Sequence, residues 1–221
     1  MRAVGPGRRL PSRTPTKEEA VSDLLSRDRL VFNQKVKVIE LNTEFAIRDE
    51  EGNQVGIVRQ EGQSTLKKAL RLVSSLDQFM THTLSVYDAV GQKVVELTRP
   101  AKVFKSTVVV KDGQGNDVGK IVQKNMIGKI RFGLHDAQGQ ELGSINAENW
   151  RAWDFSIQDP SGTEVGRITK KWEGILKTAF TVADNYLLEM SGPVSPAMRQ
   201  VVLASAAGID LALKQDARGL G

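Results

Sequence analysis

From Leu30 onward the chain alternates apolar and polar residues in short runs broken by turns, the period-two pattern of half-buried strands. The runs fall near residues 30–40, 43–49, 54–60, 80–88, 92–98, 102–111, 116–124, 129–136, 140–148, 152–159, 163–171 and 178–190, which predicts about twelve strands. Five of the turns share one form, apolar-x-Asp-x-x-Gly-x-x-apolar-x-x-apolar, with aspartates at Asp49, Asp88, Asp112, Asp136 and Asp159 and glycines at Gly52, Gly91, Gly115, Gly139 and Gly162. An aspartate can accept bonds from the backbone of its own turn while a glycine three residues on tolerates positive φ, so each copy predicts an antiparallel hairpin. A second glycine follows four residues later in four copies, at Gly56, Gly119, Gly143 and Gly166. Inside a return strand it marks a bulge or a close approach of another backbone. One carboxylate per turn is far short of a calcium loop.

The pattern changes at Pro196–Lys214, where Ser195 caps an apolar helix with proline in its first turn. Val201 to Ile209 carries no charge. A helix apolar on every side is surrounded by lipid or by its own protein. Roughly 20 residues are needed to cross a bilayer, and Arg199 and Asp210 stand close on either side of this core. Burial in a protein wall is the better reading, and the small residues Ala204 to Gly208 would let strands come near. Twelve antiparallel strands and one apolar helix predict a mainly β fold: a closed antiparallel barrel around a buried C-terminal helix. The barrel domain is assigned to residues 29–214, with a basic tail and short helix over 1–28 and a C-terminal tail over 215–221.

Two interruptions carry candidate chemistry. Ser64 to Leu76 places Leu66, Ala69, Leu70, Val73 and Leu76 on one helical face and Lys67, Lys68 and Arg71 elsewhere. A basic amphipathic helix can lie on a membrane or close a barrel as a lid. Around Trp172 stand Lys170, Lys171 and Lys177, which fits an interfacial anchor on an anionic bilayer or packing of the ring on a barrel rim. These seven residues, Lys67, Lys68, Arg71, Lys170, Lys171, Trp172 and Lys177, are the candidate lipid-binding set.

Composition narrows the rest. Thirty-one Lys and Arg against 26 Asp and Glu give a net charge of +5, which favours anionic partners or simply keeps the surface solvated. Absence of cysteine excludes disulfides, thiolate metal sites and cysteine nucleophiles. No apolar run follows Arg8-Arg9, so no export signal is read. His82 and His135 show no partner at ligand or triad spacing, and no phosphate loop, dinucleotide signature or serine elbow occurs. No enzymatic activity and no cofactor are expected. With only 5% aromatic residues and scattered basic ones, nucleic acid is not an expected partner.

Val165 to Met190, VGRITKKWEGILKTAFTVADNYLLEM, followed by a proline-containing link and an apolar helix ending Gly208-Ile209-Asp210, resembles the C-terminal part of the phospholipid scramblase family. LVFNQKVKVIE, starting at Leu30, is similar to that family's opening strand, and Leu97-Thr98-Arg99-Pro100 to its mid-domain LTRP segment. The resemblance covers residues 28 to 214 and implies the fold shared with tubby C-terminal domains and LURP-one proteins, a twelve-stranded barrel around a buried helix. It also implies lipid binding and ATP-independent lipid translocation. Three departures matter. After Ala179-Phe180-Thr181, the family's acidic calcium segment retains only Asp184 and Asn185, with Val182 in an acidic position, so calcium is not expected. Lys102-Val103-Phe104-Lys105 replaces the lipidated cysteine cluster of animal members, and the proline-rich N-terminal region is reduced to a short tail. The leading expectation is a cytoplasmic scramblase-like protein bound peripherally to anionic phospholipid at the inner face of the plasma membrane. The alternative is a soluble module for an apolar small molecule or a protein partner, which a sizeable cavity between helix and wall would favour.

Overall fold

In the computed structural model, the described residues are 23–33, 44–61, 81–100, 107–124, 131–149, 154–170 and 185–216. Among these residues twelve strands, β1 (Arg29–Asn33), β2 (Glu44–Arg48), β3 (Gln54–Glu61), β4 (His82–Asp88), β5 (Lys93–Arg99), β6 (Thr107–Asp112), β7 (Asp117–Gln123), β8 (Arg131–Asp136), β9 (Glu141–Asn149), β10 (Asp154–Gln158), β11 (Glu164–Thr169) and β12 (Asn185–Met190), precede the C-terminal helix α1 (Pro196–Asp216), and residues 23–26 ahead of β1 are helical. Each strand pairs antiparallel with its neighbours in sequence, and β1 pairs with β12, closing the barrel. The expected architecture is the observed one. The helix runs two residues beyond the expected Lys214.

All five Asp-Gly turns are hairpins with one geometry. The aspartate N–H donates to the carbonyl four residues on, the glycine N–H donates back to the aspartate carbonyl, and the glycine sits at φ between 80° and 89°. The aspartate Oδ1 then accepts from the backbone: Asn53 at Asp49, Gln92 at Asp88, Asn116 at Asp112, Gln140 at Asp136 and Thr163 at Asp159. The ladder slips one residue just beyond each turn, so Val55, Val94, Val118, Leu142 and Val165 are the bulged residues. Bulging bends the return strand and steepens its twist, as wrapping a sheet on a single helix requires.

The second glycine follows the bulge directly and faces inward. A Cβ at Gly119 would lie 2.1 Å from the His135 carbonyl oxygen and 3.0 Å from Val201 of α1. At Gly143 it would lie 2.1 Å from the Gln158 oxygen and 3.1 Å from Met198. Close approach is therefore the reason for these glycines, with the bulge one residue earlier. On the helix side, Val201, Val202, Leu203, Ala204, Ala206 and Ala207 are all at most 2% exposed. The Tyr186 hydroxyl donates to the Ala206 carbonyl at 2.7 Å, and its ring stacks on Phe32 at 5.0 Å between centroids. Space left beside Leu30, Leu188 and Val202 amounts to about 10 Å³, roughly one water molecule.

The core reaches upstream of the expected boundary at residue 29. Leu24 is 1% exposed, and Arg199 of α1 donates to the carbonyls of Leu25 and Arg27 and to Asp28. Residues 23–28 thus cover the end of the barrel where the helix enters. Leu24→Ala is expected to cost about 2–3 kcal/mol, read as a lower urea midpoint at unchanged slope.

Candidate functional site

Antiparallel alternation sorts the connections between the two ends of the barrel. The five Asp-Gly hairpins lie at one end, together with the start of β1, the finish of β12 and the helix N-terminus. Their turns hold seven carboxylates, Asp49, Glu50, Glu51, Asp88, Asp112, Asp136 and Asp159, and no lysine or arginine. The other six connections, residues 34–43, 62–81, 100–106, 124–130, 150–153 and 170–184, join strand ends at the opposite end. In sequence they hold 13 basic residues, Lys35, Lys37, Lys67, Lys68, Arg71, Lys102, Lys105, Lys124, Lys129, Arg151, Lys170, Lys171 and Lys177, against four acidic ones, Glu40, Asp77, Glu173 and Asp184. All three tryptophans, Trp150, Trp153 and Trp172, fall in them as well.

Just inside this basic end the barrel interior turns polar. Strand register places Gln60, His82, Arg99 and Gln123 on the inward face, in line with Leu84, Leu97 and Ile121. His82 and Arg99 are directly opposite one another on β4 and β5, 1% and 5% exposed. The Gln60 amide nitrogen lies 3.2 Å from His82 Nδ1. Deeper in, the same faces carry Val58, Val86, Val95 and Val110, each fully buried. Polarity alone would assign such residues to the outside; they stand in phase with the apolar inward positions of their strands.

Several cations of the outer wall are paired with carboxylates. Arg167 bonds Asp154 at 2.6 Å and Glu164 at 2.7 Å; Arg29 bonds Glu189 and Glu50; Lys124 crosses β8 over Gly133 to reach Glu141. Between β3 and β5, Lys93 lies 3.2 Å from Glu61 and 2.7 Å from Glu96, and the Tyr87 hydroxyl donates to Glu61. Burial pushes the Glu61 carboxyl up, but the bonds from Tyr87 and Lys93 outweigh it and hold the group below its usual range. The Arg167 guanidinium likewise holds Glu164 below the ordinary carboxylate value of 4.5.

A carboxylate depressed in the folded state stabilises fully above its unfolded pKa and loses that contribution as pH falls through the folded value. Stability is therefore expected to decline below about pH 4.5, and Arg167→Met is expected to shallow the decline. Urea midpoints measured between neutral and acid pH for both proteins check this.

Of the sequence-derived set, Lys170 directly follows β11 at the basic end and is half-buried. Lys67, Lys68, Arg71, Lys171, Trp172 and Lys177 lie outside the described residues, as does Asp184. Described neighbours that flank them, Glu61 and Lys170, mark the same end of the barrel. Asn185 opens β12 opposite Asn33 and is 2% exposed. Among the described residues, no group of three or more His, Asp or Glu side chains could hold a metal ion, and no helix is long and apolar enough to cross a membrane.

A family model described as Scramblase matches residues 10–213. Comparison with curated proteins and with solved structures gives no match.

Proposed function

Since the chain belongs to the scramblase family, we propose that it binds anionic phospholipid peripherally through the basic end of the barrel. The observation that carries this is the sorting of charge: 13 basic and four acidic residues, with every tryptophan, in the connections at one end. Cations near an anionic leaflet contribute about 1 kcal/mol each, and tryptophan favours the headgroup level of a bilayer. Family membership supports a lipid-related role over a catalytic one. ATP-independent translocation is the finer reading: it needs a polar path through hydrocarbon, and α1, enclosed by the wall along its described residues, supplies none in this conformation. The competing reading, a soluble module for an apolar small molecule or a protein partner, needs a larger space than the about 10 Å³ beside Leu30, Leu188 and Val202.

Flotation with vesicles of phosphatidylcholine, with and without phosphatidylserine, tests the proposal. Binding is expected only with the anionic lipid, weakening with salt, and the double variant Lys67→Gln/Lys68→Gln should lose about 2 kcal/mol of it. Equal recovery on neutral vesicles would refute it. Dithionite quenching of labelled lipid, with and without calcium, separates transport from adhesion.

A further inference from the structure

We propose that the barrel meets an anionic bilayer side-on, through the outward face of β6, β7 and β8, where four cations surround an uncharged strip. The inference rests on the lipid-binding reading above and names a footprint for it on the described residues.

Antiparallel register lays the footprint out residue by residue. On β7 the outward positions are Lys120, Val122 and, one residue past the strand, Lys124. Lys120 pairs across to Val109 of β6 and His135 of β8, and Val122 to Thr107 and Gly133. Lys111 lies two residues beyond Val109 on the same face of β6. The Lys124 N–H donates to the Arg131 carbonyl, so those two cations are neighbours. Lys120, Lys124 and Arg131 are exposed, and the Lys111 side chain is 43% exposed. At about 3.3 Å per residue and 4.8 Å between strands, the patch is roughly 20 Å long and 10 Å wide.

Charge balance sets this sector apart from the rest of the wall. Arg167, Lys93 and Arg29 each stand between two carboxylates, so a bilayer approaching those clusters would meet two acids for every cation. On β6–β8, Lys111 shares Asp117 at 3.8 Å and Lys124 shares Glu141 at 2.5 Å, and both pairs lie open to solvent. Exposed pairs contribute little, and either lysine can turn to a lipid phosphate at small cost. Among the described residues, Asp117 is the one carboxylate at an outward position of these three strands.

The strip between the cations shapes what they can touch. Thr107, Val109 and Val122 are short and half-buried, and Gly133 has no side chain. Lys124 crosses Gly133 so closely that a Cβ there would lie 2.5 Å from its Cε. A low, uncharged floor ringed by long cations fits a plane of phosphates. Stacking on nucleic-acid bases would need aromatic rings, and these outward residues include no Phe, Tyr or Trp. Lys124 and Arg131 stand where β7 and β8 reach the basic end, so the footprint adjoins it.

β1 and β2 lie across the barrel, six and five strands from β7 in the ring of twelve. At about 4.8 Å per strand the ring is roughly 18 Å or more across, over twice the Debye length of about 8 Å at physiological salt. Two equal losses of charge therefore test the footprint: Lys120→Gln/Arg131→Gln within it and Arg29→Gln/Arg48→Gln on the opposite wall. A cation near an anionic surface is worth about fivefold in affinity. Flotation of the whole chain with phosphatidylcholine–phosphatidylserine vesicles is expected to weaken about twentyfold for the first pair and less than about twofold for the second. Melts followed by circular dichroism verify that both variants are folded.

A second readout changes no charge. The chain has no cysteine, so Val122→Cys and Ala46→Cys, each carrying an environment-sensitive fluorophore, place one label in the footprint and one on the outward face of β2. Nitroxide-labelled lipid is expected to quench the label at Val122 several-fold more than that at Ala46. Equal weakening by the two double variants, or quenching at Ala46 that matches or exceeds Val122, would overturn the side-on footprint while leaving lipid binding in place. Failure of the unsubstituted protein to float on these vesicles would remove the lipid reading itself, and the footprint with it.

Discussion

Gly119→Ala is expected to cost about 3 kcal/mol or more and to lower the melting temperature by about 6–12 °C. The new methyl would lie 2.1 Å from the His135 carbonyl oxygen and 3.0 Å from Val201. One neighbour is backbone fixed in the ladder between β7 and β8, the other a fully buried side chain of the helix. Neither can yield without moving strand against helix, and close-packed interiors resist that. The control is Gly115→Ala in the hairpin of the same two-strand unit, where a Cβ meets open space and only the positive φ of 89° is strained. About 1 kcal/mol is expected there. Thermal melts followed by circular dichroism compare the two; similar melting temperatures would show that the helix is not clamped by the wall.

Val202→Asp is expected to cost more than about 4 kcal/mol, enough to unfold a domain of ordinary stability. Val202 is 1% exposed on the enclosed helix, and the space of about 10 Å³ beside it is far short of the hydration a carboxylate needs. Val202→Ala, which removes volume without adding charge, is expected to lose about 2 kcal/mol and keep a cooperative transition. Size-exclusion chromatography and far-ultraviolet circular dichroism of the two variants check this. A soluble, native-like Val202→Asp protein would mean that the helix is able to leave the barrel.

The hairpins and the helix were legible in the sequence because each rests on local chemistry. An aspartate and a glycine at fixed spacing can satisfy one turn without distant help, and nine successive uncharged residues leave a short helix no place outside a protein core. The reason for the second glycine was legible only as a choice between bulge and close approach; the structure has both, on successive residues. What could not be read was anything set by closure. Gln60, His82, Arg99 and Gln123 have the polarity of surface residues but the phase of the inward apolar positions, while Val31 and Leu187, on the opposite face of β1 and β12, are nevertheless buried. Arg99 stood out in the sequence only through the resemblance of its LTRP segment. Similarly, Lys67 and Lys170 are about a hundred positions apart in the chain, and only the alternation of strands brings their flanking residues to one end.

Closure by β1 and β12 also dictates when this protein can become itself during synthesis. The strand that seals the ring and the helix that fills it are made after the other eleven strands, so neither β1 nor the interior finds its partner until β12 and α1 have been synthesised. Pairings between such remote segments form slowly and leave apolar strand faces exposed meanwhile. Nascent chains are therefore expected to keep apolar strand faces exposed until α1 has emerged.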